Sequence, residues 1–177
     1  GHYYSKRKYY NKHVNDPLSQ DILKNKRGDA FAAERIASVM DRYVVKHEYL
    51  LNDVTQIIPV PNYGSDNKCN APLLAEIFAE KIRKRTGKNI YYNHDVLARS
   101  DKTRQRLSGQ VERRLSAKID YKISDYTKYN NNLIKDNRLL LIDDIVTTGS
   151  TIEVCQDLLY SNGARTVYIL CAARTVR

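Results

Sequence analysis

Two adjacent acids, Asp143 and Asp144, close the apolar run Leu139-Leu140-Leu141-Ile142, and a turn of hydroxyls and glycine follows, Thr147-Thr148-Gly149-Ser150-Thr151. A continuous apolar run of this kind suits a strand buried on both faces of a parallel sheet. In open α/β sheets ligands collect outside the carboxyl ends of the strands, which is where these acids fall. Side chains alternate along an extended chain, so at least one acid is predicted to leave the buried face and meet a ligand. The turn leads into a helix from about Thr151 to Ser161. Backbone N–H groups at that helix start form an anion site, and the hydroxyls of Thr147, Thr148, Ser150 and Thr151 add donors. Gly149 lets the backbone approach a ligand with no Cβ in the way. Carboxylates beside a phosphate cradle repel the phosphate unless they hold something else, and a polyol or a hydrated Mg²⁺ is what acids hold there. The set therefore asks for a phosphate at one end and hydroxyls close by, as in a ribose 5-phosphate. Neither a Walker loop nor a GxGxxG fingerprint is present.

The elements that must position these residues follow from hydrophobic spacing. Leu18, Ile22 and Leu23, then Ala30, Ala33, Ile36, Ala37 and Met40, recur at helical intervals from Pro17 to about Lys46. Lys26-Arg27-Gly28-Asp29 breaks that stretch in two, with Asp29 as N-cap of the second piece. Ile57-Ile58-Pro59-Val60-Pro61 reads as a strand ending in a loop, because proline removes the ladder donor. Leu73, Leu74, Ile77, Phe78 and Ile82 give a helix over Pro72–Arg85 that Gly87 can end. Val96-Leu97-Ala98 is a brief strand, Arg99–Arg114 a long polar loop, and Thr166–Cys171 the last strand. Strand, loop, helix and strand at the C-terminal end make a βαβ unit, so the expected class is α/β with a mostly parallel sheet.

With 177 residues the chain fits one domain, expected over 17–177, behind a polar, tyrosine-rich segment at 1–16 whose Gly1-His2 reads as a tag remnant. Hydrophobic residues make up 42 %, enough for a core, which argues against wholesale disorder. No apolar run approaches the roughly 20 residues of a membrane span, so no membrane partner is expected. Cys69, Cys155 and Cys171 form no CxxC pair, which speaks against a zinc ribbon or a disulfide framework and for a reducing cytoplasm. The formal charge is +10, and it is concentrated: residues 81–122 hold thirteen basic and four acidic groups. That segment is suited to an anionic partner, a polyphosphate or a single-stranded nucleic acid, with Tyr91, Tyr92 and His94 as stacking candidates. Solvated helix faces explain the same charges without a partner.

LLLIDDIVTTGST (residues 139–151) resembles the thirteen-residue phosphoribosyl-pyrophosphate signature of type I phosphoribosyltransferases. Ile58-Pro59-Val60-Pro61, the Leu73-Leu74-Ala75 helix, the segment from Ile22-Leu23-Lys24 to Gly28-Asp29, and the Arg99…Glu112-Arg113 stretch are similar to the ComF-type competence subgroup. Asn67-Lys68-Cys69-Asn70 departs from the Arg-Gly-Phe-Asn-Gln of that subgroup. The resemblance implies a twisted, mostly parallel sheet flanked by helices, with a flexible loop and a small hood. It also implies transfer of a 5-phosphoribosyl group from phosphoribosyl pyrophosphate to a nitrogen acceptor, or the reverse. Asp143 and Asp144 would hold the ribose hydroxyls, directly or through water on Mg²⁺. Thr147, Thr148, Gly149, Ser150 and Thr151 would hold the 5-phosphate. Val60, Pro61, Asn62, Tyr63 and Arg99 would meet the pyrophosphate, and Lys102 and Arg104, with Arg106, would neutralise it as it leaves. Thr147 stands where 6-oxopurine transferases resemble an Asp, which disfavours hypoxanthine and guanine. A homodimer is an expectation from the fold. The rivals are a phosphoribosyl-ligand sensor without turnover and a nucleic-acid accessory protein.

Overall fold

The computed structural model describes residues 1–5, 8–61, 70–99 and 120–176. Five strands form one parallel sheet in the order β1-β7-β6-β2-β3: β1 (His2–Tyr3), β7 (Thr166–Thr175), β6 (Arg138–Val146), β2 (Gln56–Pro59) and β3 (Tyr91–Tyr92). Strands β4 (Leu97–Arg99) and β5 (Tyr121–Ile123) form a separate antiparallel pair. Among the described residues six α-helices flank the sheet: α1 (Tyr10–Asn15), α2 (Pro17–Asn25), α3 (Ala30–Val45), α4 (Asn70–Thr86), α5 (Asp125–Tyr129) and α6 (Ser150–Ser161).

Local chemistry explains where the helices start and stop. Asp29 caps α3 by accepting the Ala32 N–H at 3.0 Å, as expected, and Asp16 does the same for α2 through Ser19 at 2.7 Å, with Pro17 at the first helical position. Gly87 and Gly163 follow α4 and α6 with φ of +66° and +89°, left-handed values that side chains other than glycine resist.

The sheet carries a core on each face. Leu140 and Ile142 of β6 pack with Ile22, Ile36 and Phe78 from α2, α3 and α4. Leu139 and Leu141 pack with Cys155 and Leu159 of α6 and with Leu97 and Ile123 of the hairpin. Burial on both faces is what the unbroken apolar run requires. Past Ile142 the alternation slips: Ile145 joins the first core and Val146 the second. Both acids lie inside β6, three residues short of its end at most, rather than in the loop beyond it.

The polar head is more ordered than its composition suggests. His2 and Tyr3 extend the sheet beside Arg174 and Thr175, which carries β7 four residues past the expected end at Cys171. His13 of α1 is buried, with Nδ1 2.6 Å from the Tyr4 carbonyl. Tyr121 is a buried strand residue. Its neighbours Lys122 (exposed) and Ile123 (buried) complete an inward-outward alternation too short to recognise as periodic. No helix among the described residues is long and apolar enough to cross a membrane.

Candidate functional site

At the carboxyl ends of β2, β6 and β7 a cleft of about 420 Å³ opens, lined by Asp143, Asp144, Thr147 and Thr151 together with Val60 and Pro61. A recess of about 40 Å³ beside it is ringed by residues 145–152. Both acids line the cleft although they occupy successive positions of β6: Asp144 lies beside Lys26, and Asp143 lies toward Cys155 and Tyr121.

Each acid spends one oxygen on its own backbone. Asp143 Oδ1 accepts the Asp144 N–H and Asp144 Oδ1 accepts the Ile145 N–H, both at 2.8 Å. Asp144 is only 7 % exposed, yet its Oδ2 has no hydrogen-bond partner. Among the described residues the cation facing it is Lys26 Nζ, 3.8 Å away and beyond hydrogen-bonding reach. Burial, and then the adjacent Asp144 carboxylate, hold the Asp143 carboxyl well above the usual carboxylate range. An arrangement that disfavours its own charge and leaves a buried acceptor empty is suited to a cation or to donating hydroxyls.

The turn is organised from within. Gly149 is the N-cap of α6 at φ +88°, Glu153 N–H donates to its carbonyl at 2.9 Å, and Thr148 Oγ1 lies 3.1 Å from Ser150 Oγ. Among the described residues no acceptor faces the N–H groups of Thr148 or Gly149, and the first-turn N–H groups of α6 have no intrahelical partner by construction. These donors and hydroxyls converge beside the acids, as an anion cradle requires.

Arg99, at the end of β4, reaches the same cleft. Its guanidinium lies 5.2 Å from the Tyr121 ring centre and 3.5 Å from Asp120 Oδ2. Burial raises the Tyr121 pKa to about 12, against the opposing pull of the nearby Arg99 cation. Of the anticipated site residues, Asn62, Tyr63, Lys102 and Arg104 lie outside the described residues, as do Arg106 and Cys69. Tyr3, Lys26, Asn70, Tyr121 and Thr175 also line the cleft and were not anticipated. They come from segments far apart in the chain, so no spacing announces them; only the Lys-Arg-Gly-Asp turn at 26–29 marks its place.

The basic segment 81–122 is largely neutralised where it is described. Lys81, Lys84, Arg85, Arg99 and Lys122 each pair with an acid of this chain. Tyr92 donates its hydroxyl to the Pro72 carbonyl at 3.0 Å, which makes it a packing residue, whereas Tyr91 is exposed.

A family model described as phosphoribosyl transferase domain matches residues 73–175, more than half of the chain. Among curated proteins, the DNA utilization protein YhgH of Escherichia coli O157:H7 is 42 % identical over 43 residues, 24 % of this chain and 19 % of that protein. Its Salmonella typhi counterpart is 47 % identical over 38 residues, 22 % of this chain and 17 % of that protein. The chain thus spans about a fifth of the length of the curated relatives it matches. Similar solved structures include a hypothetical protein from Neisseria gonorrhoeae with bound ppGpp, at 15 % identity, 80 % of this chain, 68 % of that chain and a TM-score of 0.48. Another is the glutamine phosphoribosylpyrophosphate amidotransferase from B. subtilis complexed with ADP and GMP, at 15 % identity, 79 % of this chain, 26 % of that chain and a TM-score of 0.47. The parallel sheet and its flanking helices are the architecture that the family resemblance implies. The chain belongs to the phosphoribosyl transferase domain family.

Proposed function

We propose that the protein binds phosphoribosyl pyrophosphate in this cleft and transfers its 5-phosphoribosyl group to a nitrogen acceptor. One observation carries the reading: the acids and the 147–151 turn meet in a single cleft, and a buried Asp144 oxygen there has no donor.

The turn anchors the 5-phosphate through backbone N–H groups and hydroxyls, which fixes the sugar before any bond changes. Asp143 and Asp144 then take the ribose hydroxyls. In the transfer the bond between C1 and the pyrophosphate oxygen breaks, and its electron pair departs with the pyrophosphate. The acceptor's lone pair forms the new C1–N bond, and the acceptor's N–H proton is released to water. Positive charge builds on the ring meanwhile, and two carboxylates in a poorly solvated cleft stabilise it. Arg99 lines the same cleft and is available to the negative charge of the departing pyrophosphate.

Among the described residues no cluster of three or more His, Cys, Asp or Glu could hold a bare metal ion. Two carboxylates with an unsatisfied buried oxygen do fit a hydrated Mg²⁺, held through its waters. Bound there, Mg²⁺ would supply neutralisation of the pyrophosphate charge. Thr147 offers no carboxylate to a base nitrogen, so a 6-oxopurine is the least favoured acceptor.

Release of pyrophosphate, assayed with Mg²⁺ across a panel of nucleobases, amines and ammonia, tests the activity. Turnover with one acceptor class, lost in Asp143→Ala/Asp144→Ala, supports the transferase. Tight binding of phosphoribosyl pyrophosphate with no turnover supports a ligand sensor instead. A DNA-linked accessory role is favoured by the partial likeness to the DNA utilization protein. For that role, single-stranded DNA binding with a steep salt dependence is the expected mark.

A further inference from the structure

Lys26 is the C-cap of α2, at the rim of the cleft. Its backbone is held firmly: its N–H donates to the Ile22 carbonyl, and Gly28 N–H and Asp29 N–H close the following turn at 2.9 and 3.1 Å. Asn25 just before it is fully buried and donates from Nδ2 to the Asn70 carbonyl at 3.2 Å, tying this turn to the start of α4. The side chain is another matter. It is 43 % exposed, and no described residue accepts a hydrogen bond from Nζ. Facing it at 3.8 Å is the Asp144 Oδ2 that no donor satisfies.

A buried acceptor and a cationic donor that stop short of hydrogen-bonding each other can each take a neighbouring group of one ligand. That ligand must offer a hydroxyl to Asp144 and an anionic oxygen to Lys26, side by side. In phosphoribosyl pyrophosphate the 2-hydroxyl and the C1 pyrophosphate sit on neighbouring carbons and meet this requirement. We infer that Lys26 binds the pyrophosphate at C1 while Asp144 holds the adjacent 2-hydroxyl, so that Lys26 stabilises the leaving group as the C1–O bond breaks. Charge then accumulates on the oxygen nearest Lys26, where a positioned cation has its largest effect. This residue lies outside the matched stretch 73–175 and comes from the other end of the chain. The inference rests on the phosphoribosyl reading above and gives one residue of that cleft a role.

Calorimetric titrations of wild type, Lys26→Met and Lys26→Arg, with Mg²⁺ present, separate the two claims. The ligands are phosphoribosyl pyrophosphate and ribose 5-phosphate, which lacks the pyrophosphate. Lys26→Met is expected to weaken phosphoribosyl pyrophosphate about tenfold or more and to leave ribose 5-phosphate within twofold, with Lys26→Arg recovering most of the loss. A parallel loss for both ligands, or no loss for either, overturns the assignment of Lys26 while the phosphoribosyl site stands. Wild-type protein that binds neither ligand overturns both. Thermal unfolding of each variant shows that it is folded, and Lys26→Gln replaces Lys26→Met if that variant is not.

Discussion

On one side of the cleft, the turn from Thr147 to Thr151 is built from consecutive residues that hydrogen-bond to one another and carry no charge. On the other, Asp143 and Asp144 face Lys26 and Tyr3 from the opposite end of the chain, and the charged groups stop short of hydrogen bonds with each other. The first wall is held by its own hydrogen bonds and, in the phosphate-binding role proposed for it, should respond little to ligand or pH. The second holds two buried carboxylates whose mutual repulsion nothing among the described residues fully relieves, so its energy depends on what enters. Anchoring and charge response are thus assigned to separate walls.

Removing the charged wall should have the largest effect. Asp143→Ala/Asp144→Ala is expected to abolish the thermal stabilisation that phosphoribosyl pyrophosphate and Mg²⁺ give the wild type, a loss of about 100-fold in affinity or ~3 kcal/mol. The ligand-free variant should unfold no earlier than wild type, since the repelling pair is gone.

Gly149→Ala tests the neutral wall. The added methyl has room, its nearest neighbour being Glu153 Oε1 at 4.0 Å, so the effect comes from the backbone at φ +88°. A destabilisation of about 1–2 kcal/mol in urea unfolding is expected. Ribose 5-phosphate affinity should fall with it as the turn relaxes, whereas a change confined to stability would mean the turn does not bind the phosphate.

The pH dependence separates the walls again. Asp143 in the ligand-free fold holds its proton more tightly than in the unfolded chain. Its contribution is therefore largest below the ordinary carboxylate pKa of about 4 and is lost as pH rises through the raised value, with a slope of at most about 1.4 kcal/mol per pH unit. Urea midpoints measured from pH 4 upward should show this decline in wild type and not in Asp143→Asn. Equal profiles would mean the pair is not under strain. Ser150→Ala, which removes the contact with Thr148, should cost least, about 0.5–1.5 kcal/mol in the same assay and with no change of pH profile.

How far the site is legible in the sequence follows the same division. The run 139–142, the acids, the turn and Gly163 sit within one βαβ unit, and each announces itself through neighbours a few residues away. The cap at Asp29 and the stripe from Leu74 to Ile82 are legible for the same reason. What escapes the sequence arrives through long-range contacts. Lys26 meets Asp144 only because α2 packs on the β6 face that carries Ile142. Tyr3 enters the cleft because β1 pairs with the end of β7, and a two-residue strand leaves no period to read. Tyr121 is buried by a partner, Arg99, that lies across the hairpin. Both acids reach one cleft because it spans the end of the sheet and draws lining residues from both of its faces, a property of tertiary packing that strand alternation does not report.

The most direct test of the central claim is calorimetric titration of ribose 5-phosphate into wild-type protein, because that ligand carries only the phosphate and hydroxyls that the two walls are matched to. Saturable binding to one site per chain is expected, weakened by Gly149→Ala on the phosphate side and by Asp143→Ala/Asp144→Ala on the hydroxyl side. Absence of binding, or an affinity that neither variant changes, would contradict the account.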